Sequence, residues 1–233
     1  MTSWRGAWAI ARRHPLYLWR EYTGARLRDR WLRDDAFGRR FYDRVLAADL
    51  PLGSRVLDVG CGWGRFPWML ARLGCDVYGV DVSGRQWCHW QRITREERRS
   101  RLMLAAGEAL PFPDRAFDAV LCVGVLQDAR EPERVLREVT RVARRAGVLV
   151  LAAPNDAHLW SGHNGAPGLL PTLGTLGWSV ARSWGEGWHV PLLTTLLTMA
   201  TPYAPTMSYR SARLGRLAPA SRWLHRIVVC RAG

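Results

Sequence analysis

The feature that most constrains this chain is a short apolar segment that runs into a glycine-rich turn. Residues 55–59 read Arg-Val-Leu-Asp-Val, and glycines follow at positions 60, 62 and 64. Glycines let the backbone approach a ligand closely, and the helix that comes next offers free N–H groups at its N-terminus. A dinucleotide-binding turn would have a third glycine where Arg65 stands, which counts against NAD. The segment therefore predicts a buried strand, a ligand-binding turn and a helix.

A second acid follows the next apolar segment. Val77–Asp81 reads as a second strand, and its last residue is a carboxylate. In nucleotide-binding α/β folds, an acid at this place can accept hydrogen bonds from both ribose hydroxyls. The alternative is that any Rossmann-like turn uses glycines and that Asp81 only caps the next helix. The glycine turn and the acid together favour a nucleotide-type ligand.

Strands and helices alternate through the middle of the chain. Three more strands are expected at residues 102–106, 117–123 and 147–153. A helix that opens at Pro132 places one apolar stripe on a single face, formed by Val135, Leu136, Val139, Val142 and Ala143. This alternation predicts right-handed βαβ units and a parallel sheet. Ile227–Cys230 is the candidate for a final edge strand.

The charge of the chain indicates which partners it favours, and its cysteine content indicates the cellular compartment. The 34 basic residues are all arginine, and with 20 acids they give a net charge of +14. Such a balance favours anionic partners. The 5 cysteines form no C-x-x-C pair, which argues against a zinc site and a disulfide framework. Prolines break both long uncharged stretches, and no signal-peptide pattern is present, so we expect a cytoplasmic protein.

Beyond the glycine turn, several segments resemble the class I S-adenosylmethionine-dependent methyltransferases, in particular those that act on small molecules and lipids. The resemblance covers roughly residues 50–155. It includes the Asp-x-Gly-x-Gly-x-Gly turn from Asp58, the Gly-Glu-Ala-Leu-Pro-Phe segment at 107–112, Leu-Arg-Glu at 136–138 and Ala-Pro-Asn at 153–155. It implies a Rossmann-like α/β fold with a mostly parallel seven-stranded sheet, helices on both faces and an antiparallel edge strand.

The resemblance also implies a cofactor, S-adenosyl-L-methionine, and the residues around it. The turn would hold the methionine part, the acid after the second strand would bind the ribose, and the 107–112 segment would border the adenine. No metal is implied. The residues expected at the cofactor are Asp58, Gly60, Cys61, Gly62, Gly64, Asp81, Val82, Glu108, Ala109 and Val123.

Two departures from the family pattern bear on catalysis and on a turn. The family often has a histidine shortly after the fourth strand, where this chain has Leu126-Gln127-Asp128. The family's Pro-Gly-Gly turn before the fifth strand is Arg145-Ala146-Gly147 here. The second departure is expected to be structural.

Candidate catalytic residues follow from where ligands bind on open parallel sheets, at the carboxyl ends of the strands. Methyl transfer from a sulfonium depends mostly on positioning, and a base is needed only for a protonated nucleophile. Gln127 could orient an acceptor, and Asp128, His158 or His163 could act as a base. The alternatives are that Asp128 caps the next helix and that the histidines are solvated surface residues.

Three regions are expected. Residues 1–50 form a basic helical extension, 51–154 the cofactor-binding core, and 155–233 an apolar substrate-recognition insertion with the closing edge strand. Tryptophans at 4, 8, 19 and 31 lie among arginines, which suits either a lid helix or a peripheral contact with an anionic membrane. The expected reaction is methyl transfer to a small-molecule or lipid-like acceptor. Alternatives are an RNA methyltransferase, favoured by the charge, and a non-catalytic cofactor-binding protein.

Overall fold

The computed structural model describes residues 53–154, 169–188 and 223–232. Seven strands and four helices lie in these ranges. The strands are β1 (Arg55–Val59), β2 (Asp76–Asp81), β3 (Ser100–Leu104), β4 (Phe117–Val123), β5 (Ala143–Pro154), β6 (Trp178–Trp188) and β7 (Trp223–Ala232). The helices are α1 (Arg65–Arg72), α2 (Trp87–Glu96), α3 (Pro132–Val142) and α4 (Leu169–Thr175), and a short 3-10 helix spans Gly84–Gln86.

The strands form one sheet in the order β3-β2-β1-β4-β5-β7-β6. Strands β1 to β5 are parallel to one another. Strand β7 is antiparallel to β5, and β6 is antiparallel to β7. From β1 the chain adds β2 and β3 toward one edge of the sheet, and from β4 it adds β5 toward the other edge. The predicted Rossmann-like fold is confirmed, and its ligand-binding crevice is expected at the carboxyl ends of β1 and β4, where the order reverses.

The two faces of the sheet bury two apolar clusters. On one face Val56, Val77 and Leu121 pack with Leu70 of α1. On the other face Leu57, Val80 and Leu149 pack with the stripe of α3. That stripe was predicted from sequence as Val135, Leu136, Val139, Val142 and Ala143. All five residues are at most 5% exposed, but α3 ends at Val142, so Ala143 is the first residue of β5. Burial of β1 and β4 on both faces explains why their sequences are mostly apolar.

The antiparallel side of the sheet differs in detail from the sequence expectation. The strand expected at Ile227–Cys230 is present as β7, but β6 covers its outer side, so β7 lies one place in from the edge. The resemblance implied seven strands, but the position of β6 was not predicted. The strand lies in the stretch expected to be a substrate-recognition insertion, and residues 155–168 and 189–222 of that stretch lie outside the described residues.

The segment between β2 and α2 is defined by a cap and by one buried tryptophan. Ser83 caps the 3-10 helix, because its side chain accepts a hydrogen bond from the Arg85 N–H. In α2, Trp90 is 1% exposed, whereas Trp87, at the first position of the helix, is 46% exposed.

The first residues of β5, which follow α3 directly, carry local backbone strain. The pairing register between β4 and β5 shifts between Phe117 and Ala119, and Ala146 has a φ of 60°. A left-handed conformation is unfavourable for a residue with a Cβ. A Cβ at Gly147 would lie 2.7 Å from the Arg144 carbonyl oxygen, so glycine is required at that position. The departure from the family's Pro-Gly-Gly sequence therefore lies in an irregular part of β5.

Candidate cofactor site

The glycine turn lies between β1 and α1 and is attached to β2. The N–H groups of Gly60 and Cys61 both donate to the Val80 carbonyl oxygen, at 2.8 and 2.9 Å. Gly60, Gly62 and Gly64 have φ values of 71°, 51° and 77°. These are left-handed conformations that glycine adopts without penalty. The turn is thus held at the carboxyl end of β1, where the fold places its crevice.

The three glycines serve different purposes. A Cβ at Gly60 would lie 2.3 Å from Val125 Cγ2, and one at Gly64 would lie 2.8 Å from Ile93 Cδ1. No described atom lies within 4 Å of a Cβ built at Gly62. Gly60 and Gly64 are therefore required by packing within the protein, while Gly62 exposes its Cα to open space. That open side is where a ligand can approach the backbone.

Asp81 connects the turn to the residues that follow β2. One carboxylate oxygen accepts a hydrogen bond from the Gly62 N–H at 2.9 Å, and the other accepts one from the Ser83 N–H at 2.8 Å. Each carboxylate oxygen has about two acceptor sites, so both retain capacity for a ligand hydroxyl. Val82, beside it, is 75% exposed.

Asp58 is a buried acid without a partner in the described part of the chain. It is 1% exposed, and its Oδ2 atom accepts no hydrogen bond there. Burial raises the pKa of Asp58 well above its ordinary value, and the negative charge of Asp81 raises it further. A buried carboxyl with unfilled acceptor capacity suits a ligand that donates hydrogen bonds or carries positive charge.

Cys61 contributes its backbone to the turn, and its thiol faces the interior. A Cβ at Gly79 would lie 3.0 Å from the Cys61 Sγ, so the thiol packs against β2. Burial, followed by the charges of Asp58 and Asp81, raises the pKa of the Cys61 thiol. Such a thiol is unreactive, since the thiolate is the reactive form.

The segment after β3 is held by side chains of α3, which sequence reasoning did not identify. Glu138 accepts a hydrogen bond from the Leu110 N–H at 2.8 Å. Arg141 donates to the carbonyl oxygens of Leu110 and Phe112, at 3.1 and 2.8 Å, and forms a two-bond ion pair with Glu138. The bonds from Arg141 lower the pKa of Glu138. These contacts fix the segment that was expected to border the adenine.

Glu108 and Ala109, at the start of that segment, each form a backbone-mediated hydrogen bond. Glu108 accepts a hydrogen bond from the Arg130 N–H at 3.2 Å, and the Ala109 N–H donates to the Ala106 carbonyl oxygen at 3.1 Å. Val123 is half-buried at the end of β4, opposite Ala152 of β5. Their contact with a cofactor stays a prediction.

The candidate catalytic residues are partly placed. The Gln127 side-chain N–H lies 3.4 Å from an Asp128 carboxylate oxygen, and Gln127 Oε1 is buried without a hydrogen-bond partner among the described residues. Asp128 is exposed and lies in a turn, whereas the N-cap of α3 is Glu131, so Asp128 does not cap that helix. His158 and His163 lie outside the described residues.

Among the described residues, no helix is both long and apolar enough to cross a membrane. The same ranges contain no cluster of three or more His, Cys, Asp or Glu side chains that could hold a metal ion.

The sheet order, the glycine turn and the two acids define a Rossmann-like ligand-binding domain. The family described as a methyltransferase domain matches residues 57–151. This region, which is less than half of the chain, is therefore a methyltransferase domain of the kind that the resemblance to the class I S-adenosylmethionine-dependent methyltransferases predicted. The predicted family is confirmed.

Known relatives cover part of the chain. A demethylmenaquinone methyltransferase from Tropheryma whipplei is 34% identical over 117 residues, which are 50% of this chain and 48% of that protein. A tRNA U34 carboxymethyltransferase from Shewanella woodyi is 38% identical over 115 residues, which are 47% of this chain and 34% of that protein. The chain thus spans half or less of the length of these curated relatives.

Among solved structures, the crystal structure of the 4+2 cyclase SpnF matches with a TM-score of 0.60 and 25% identity. The match covers 85% of this chain and 80% of that one.

The residues present fit the cofactor that the family implies. Gly62 offers an open approach, Asp81 retains acceptor capacity, and the unpartnered Oδ2 of Asp58 suits a cationic ligand. The donor set of S-adenosylmethionine, two ribose hydroxyls and a cationic methionine part, complements these groups.

Proposed function

We propose that this protein transfers a methyl group from S-adenosylmethionine to a small-molecule acceptor. The observation that carries the proposal is the turn at residues 60–64, in which no described atom lies within 4 Å of a Cβ at Gly62 and the Gly62 N–H is bonded to the Asp81 carboxylate. S-adenosylmethionine supplies a methyl group on a sulfonium, which is a good leaving group. The protein's task is then chiefly to bind and orient.

Each of the placed residues has a role in that task. Asp81 accepts hydrogen bonds from the ribose hydroxyls while its bonds to the Gly62 and Ser83 N–H groups keep it oriented. Asp58 balances positive charge on the methionine part, and a nearby cation would lower the raised pKa of Asp58. Gln127, whose buried side-chain oxygen has no hydrogen-bond partner among the described residues, orients the acceptor by accepting a hydrogen bond.

The acceptor class is inferred from the relatives and from composition. The Tropheryma whipplei protein is named for demethylmenaquinone, an apolar small molecule. From residue 157 to 209 this chain carries only two charged residues, Arg182 and Glu186. Both features favour an apolar or lipid-like acceptor. A peripheral membrane contact by the basic tryptophan-containing residues 1–33 stays a prediction, since those residues lie outside the described part of the chain.

Two other functions have a specific observation behind them. The relative named for tRNA, together with the net charge of +14, favours an RNA acceptor. The similarity to a 4+2 cyclase favours a site that binds the cofactor and carries out different chemistry. Transfer of radiolabelled methyl groups from S-adenosylmethionine to an RNA fraction, to a lipid extract or to neither separates the three functions.

Cofactor binding is tested by calorimetry with S-adenosylhomocysteine. Asp81→Ala should weaken binding by about 10- to 150-fold, because a hydrogen bond to a charged group is worth about 1.5–3 kcal/mol. Asp76→Ala is the matched control at the other end of β2, where the carboxylate forms ion pairs with Arg55 and Arg101. It should bind like the wild type. A wild-type protein that binds NAD and not S-adenosylhomocysteine would refute the proposal.

A further inference from the structure

The peptide groups on either side of Gly62 are both held by side chains from neighbouring elements. The Gly62 N–H donates to the Asp81 carboxylate at 2.9 Å. The Gly62 carbonyl oxygen accepts a hydrogen bond from the Trp90 indole Nε1 at 2.7 Å. Asp81 ends β2 and Trp90 lies in α2, so two separate elements fix the orientation of one glycine.

The indole that makes the second bond has little freedom to move. Trp90 is 1% exposed. A Cβ at Gly64 would lie 3.7 Å from Trp90 Cδ1, so the ring packs directly beneath the last glycine of the turn. A side chain enclosed in this way presents its N–H at a fixed point, and the bond to Gly62 costs little additional entropy.

The bond matters because glycine backbone is easily rotated. The Gly62–Trp63 peptide follows a residue with no Cβ, and its carbonyl is one of the groups that define the shape of the turn. Without the indole N–H, this carbonyl loses the hydrogen bond that α2 supplies, and other orientations of the peptide become populated. The apparent affinity for a ligand then falls in proportion to the fraction of molecules in the binding conformation.

We propose that Trp90 is a positioning residue for the cofactor site. Its indole N–H sets the orientation of the Gly62–Trp63 peptide and so holds the glycine turn in the conformation that binds S-adenosylmethionine. Trp90 acts from behind the turn and does not itself contact the cofactor. This inference rests on the proposed function, because it assigns a role within the same site.

The test compares two buried tryptophans that each lose an indole hydrogen bond. Trp178 is 4% exposed, and its Nε1 donates to Thr140 Oγ1 at 2.9 Å. It lies at the start of β6, beside the amino-terminal end of β5 and away from the glycine turn. Trp90→Phe and Trp178→Phe should both lower the stability. Only Trp90→Phe should raise the Kd for S-adenosylhomocysteine, by about three- to tenfold.

A second variant removes the N–H without removing ring volume. Benzothienylalanine in place of Trp90 has a sulfur where the indole has its N–H, so packing beneath Gly64 is preserved. It should weaken binding as Trp90→Phe does, with the unfolding temperature close to that of the wild type. This variant also serves if Trp90→Phe fails to fold.

A spectroscopic measurement reports on the bond itself. The Trp90 indole N–H resonance, identified by its loss in the benzothienylalanine variant, should exchange slowly with solvent and shift when S-adenosylhomocysteine is added. The Trp178 resonance should not shift. Wild-type affinity in both Trp90 variants would overturn the positioning role alone, whereas a wild-type protein that does not bind S-adenosylhomocysteine would overturn the proposed function and this role together.

Discussion

Replacement of Gly62 by alanine separates the binding role of the turn from its folding role. No described atom lies within 4 Å of a Cβ at Gly62, so the added methyl group meets no clash inside the protein. The φ of 51° still penalises alanine, because a left-handed conformation costs a residue with a Cβ about 1–2 kcal/mol. A less flexible unfolded chain offsets about 0.4–1 kcal/mol of this. The net loss of stability is about 1 kcal/mol.

Gly177→Ala is the matched control for backbone strain. Gly177 has a φ of 83°, also with no described atom within 4 Å of a Cβ, and it precedes β6. Both variants should therefore unfold about 2–4 °C below the wild type in a thermal scan. Only Gly62→Ala should lose affinity for S-adenosylhomocysteine, by about tenfold or more, because its methyl group occupies the space through which the ligand approaches.

Two results would refute this reasoning. Wild-type affinity in Gly62→Ala would mean that the open space beside Gly62 is not occupied by the cofactor. An equal loss of affinity in Gly177→Ala would mean that binding follows overall stability. Gly60→Ala adds a contrast, since its Cβ would lie 2.3 Å from Val125 Cγ2 and should impair folding itself. Calorimetric titration and thermal unfolding on the same samples provide both measurements.

Two further predictions concern stability. Because the pKa of Asp58 is raised in the folded protein, wild-type stability should fall as pH rises from about 4, by up to about 1.4 kcal/mol per pH unit, and level off above the folded pKa. Asp58→Asn should lack this pH dependence, so the free energy of unfolding in urea should rise relative to that of the wild type as the pH increases. A difference that stays constant with pH would contradict a raised pKa for Asp58. Ala146→Gly should raise the unfolding free energy by about 0.5–1 kcal/mol, since glycine tolerates the φ of 60° there. Unchanged stability would show that the turn carries no strain.

The elements that could be predicted are those buried in a regular way, either on both faces of a strand or on one face of a helix. The strands β1 and β4 are covered on both faces, so their sequences are mostly apolar, with Asp58 and Asp118 as the acidic exceptions. The helix α3 has one buried face, and its stripe follows helical periodicity. By contrast, β6 contains Gly185 and Gly187 and has a register shift between Val180 and Arg182, so it lacks the alternation typical of a strand.

The candidate site residues that could be predicted are likewise those whose arrangement is local in sequence. Asp58 and the glycines could be proposed as site residues because the turn that presents them is local in sequence, and Asp81 because it ends the next strand. The bonds from Trp90 to Gly62 and from Leu110 to Glu138 each join residues 28 positions apart. Such contacts depend on how α2 and α3 pack, and a single sequence carries no local signal for them. Trp90 could be singled out as an apolar residue of α2, but its indole bond could not.

Asp81 shows how the two interpretations offered by the sequence combine. A capping role and a ligand role were alternatives when only spacing was known. In the structure one carboxylate oxygen accepts the Gly62 N–H and the other accepts the Ser83 N–H, so the side chain holds both the turn and the segment after β2. These two bonds also fix the plane of the carboxylate, and the remaining acceptor sites are then oriented before any ligand arrives. Preorganisation of this kind lowers the entropy that binding must overcome, so the structural role strengthens the proposed binding role.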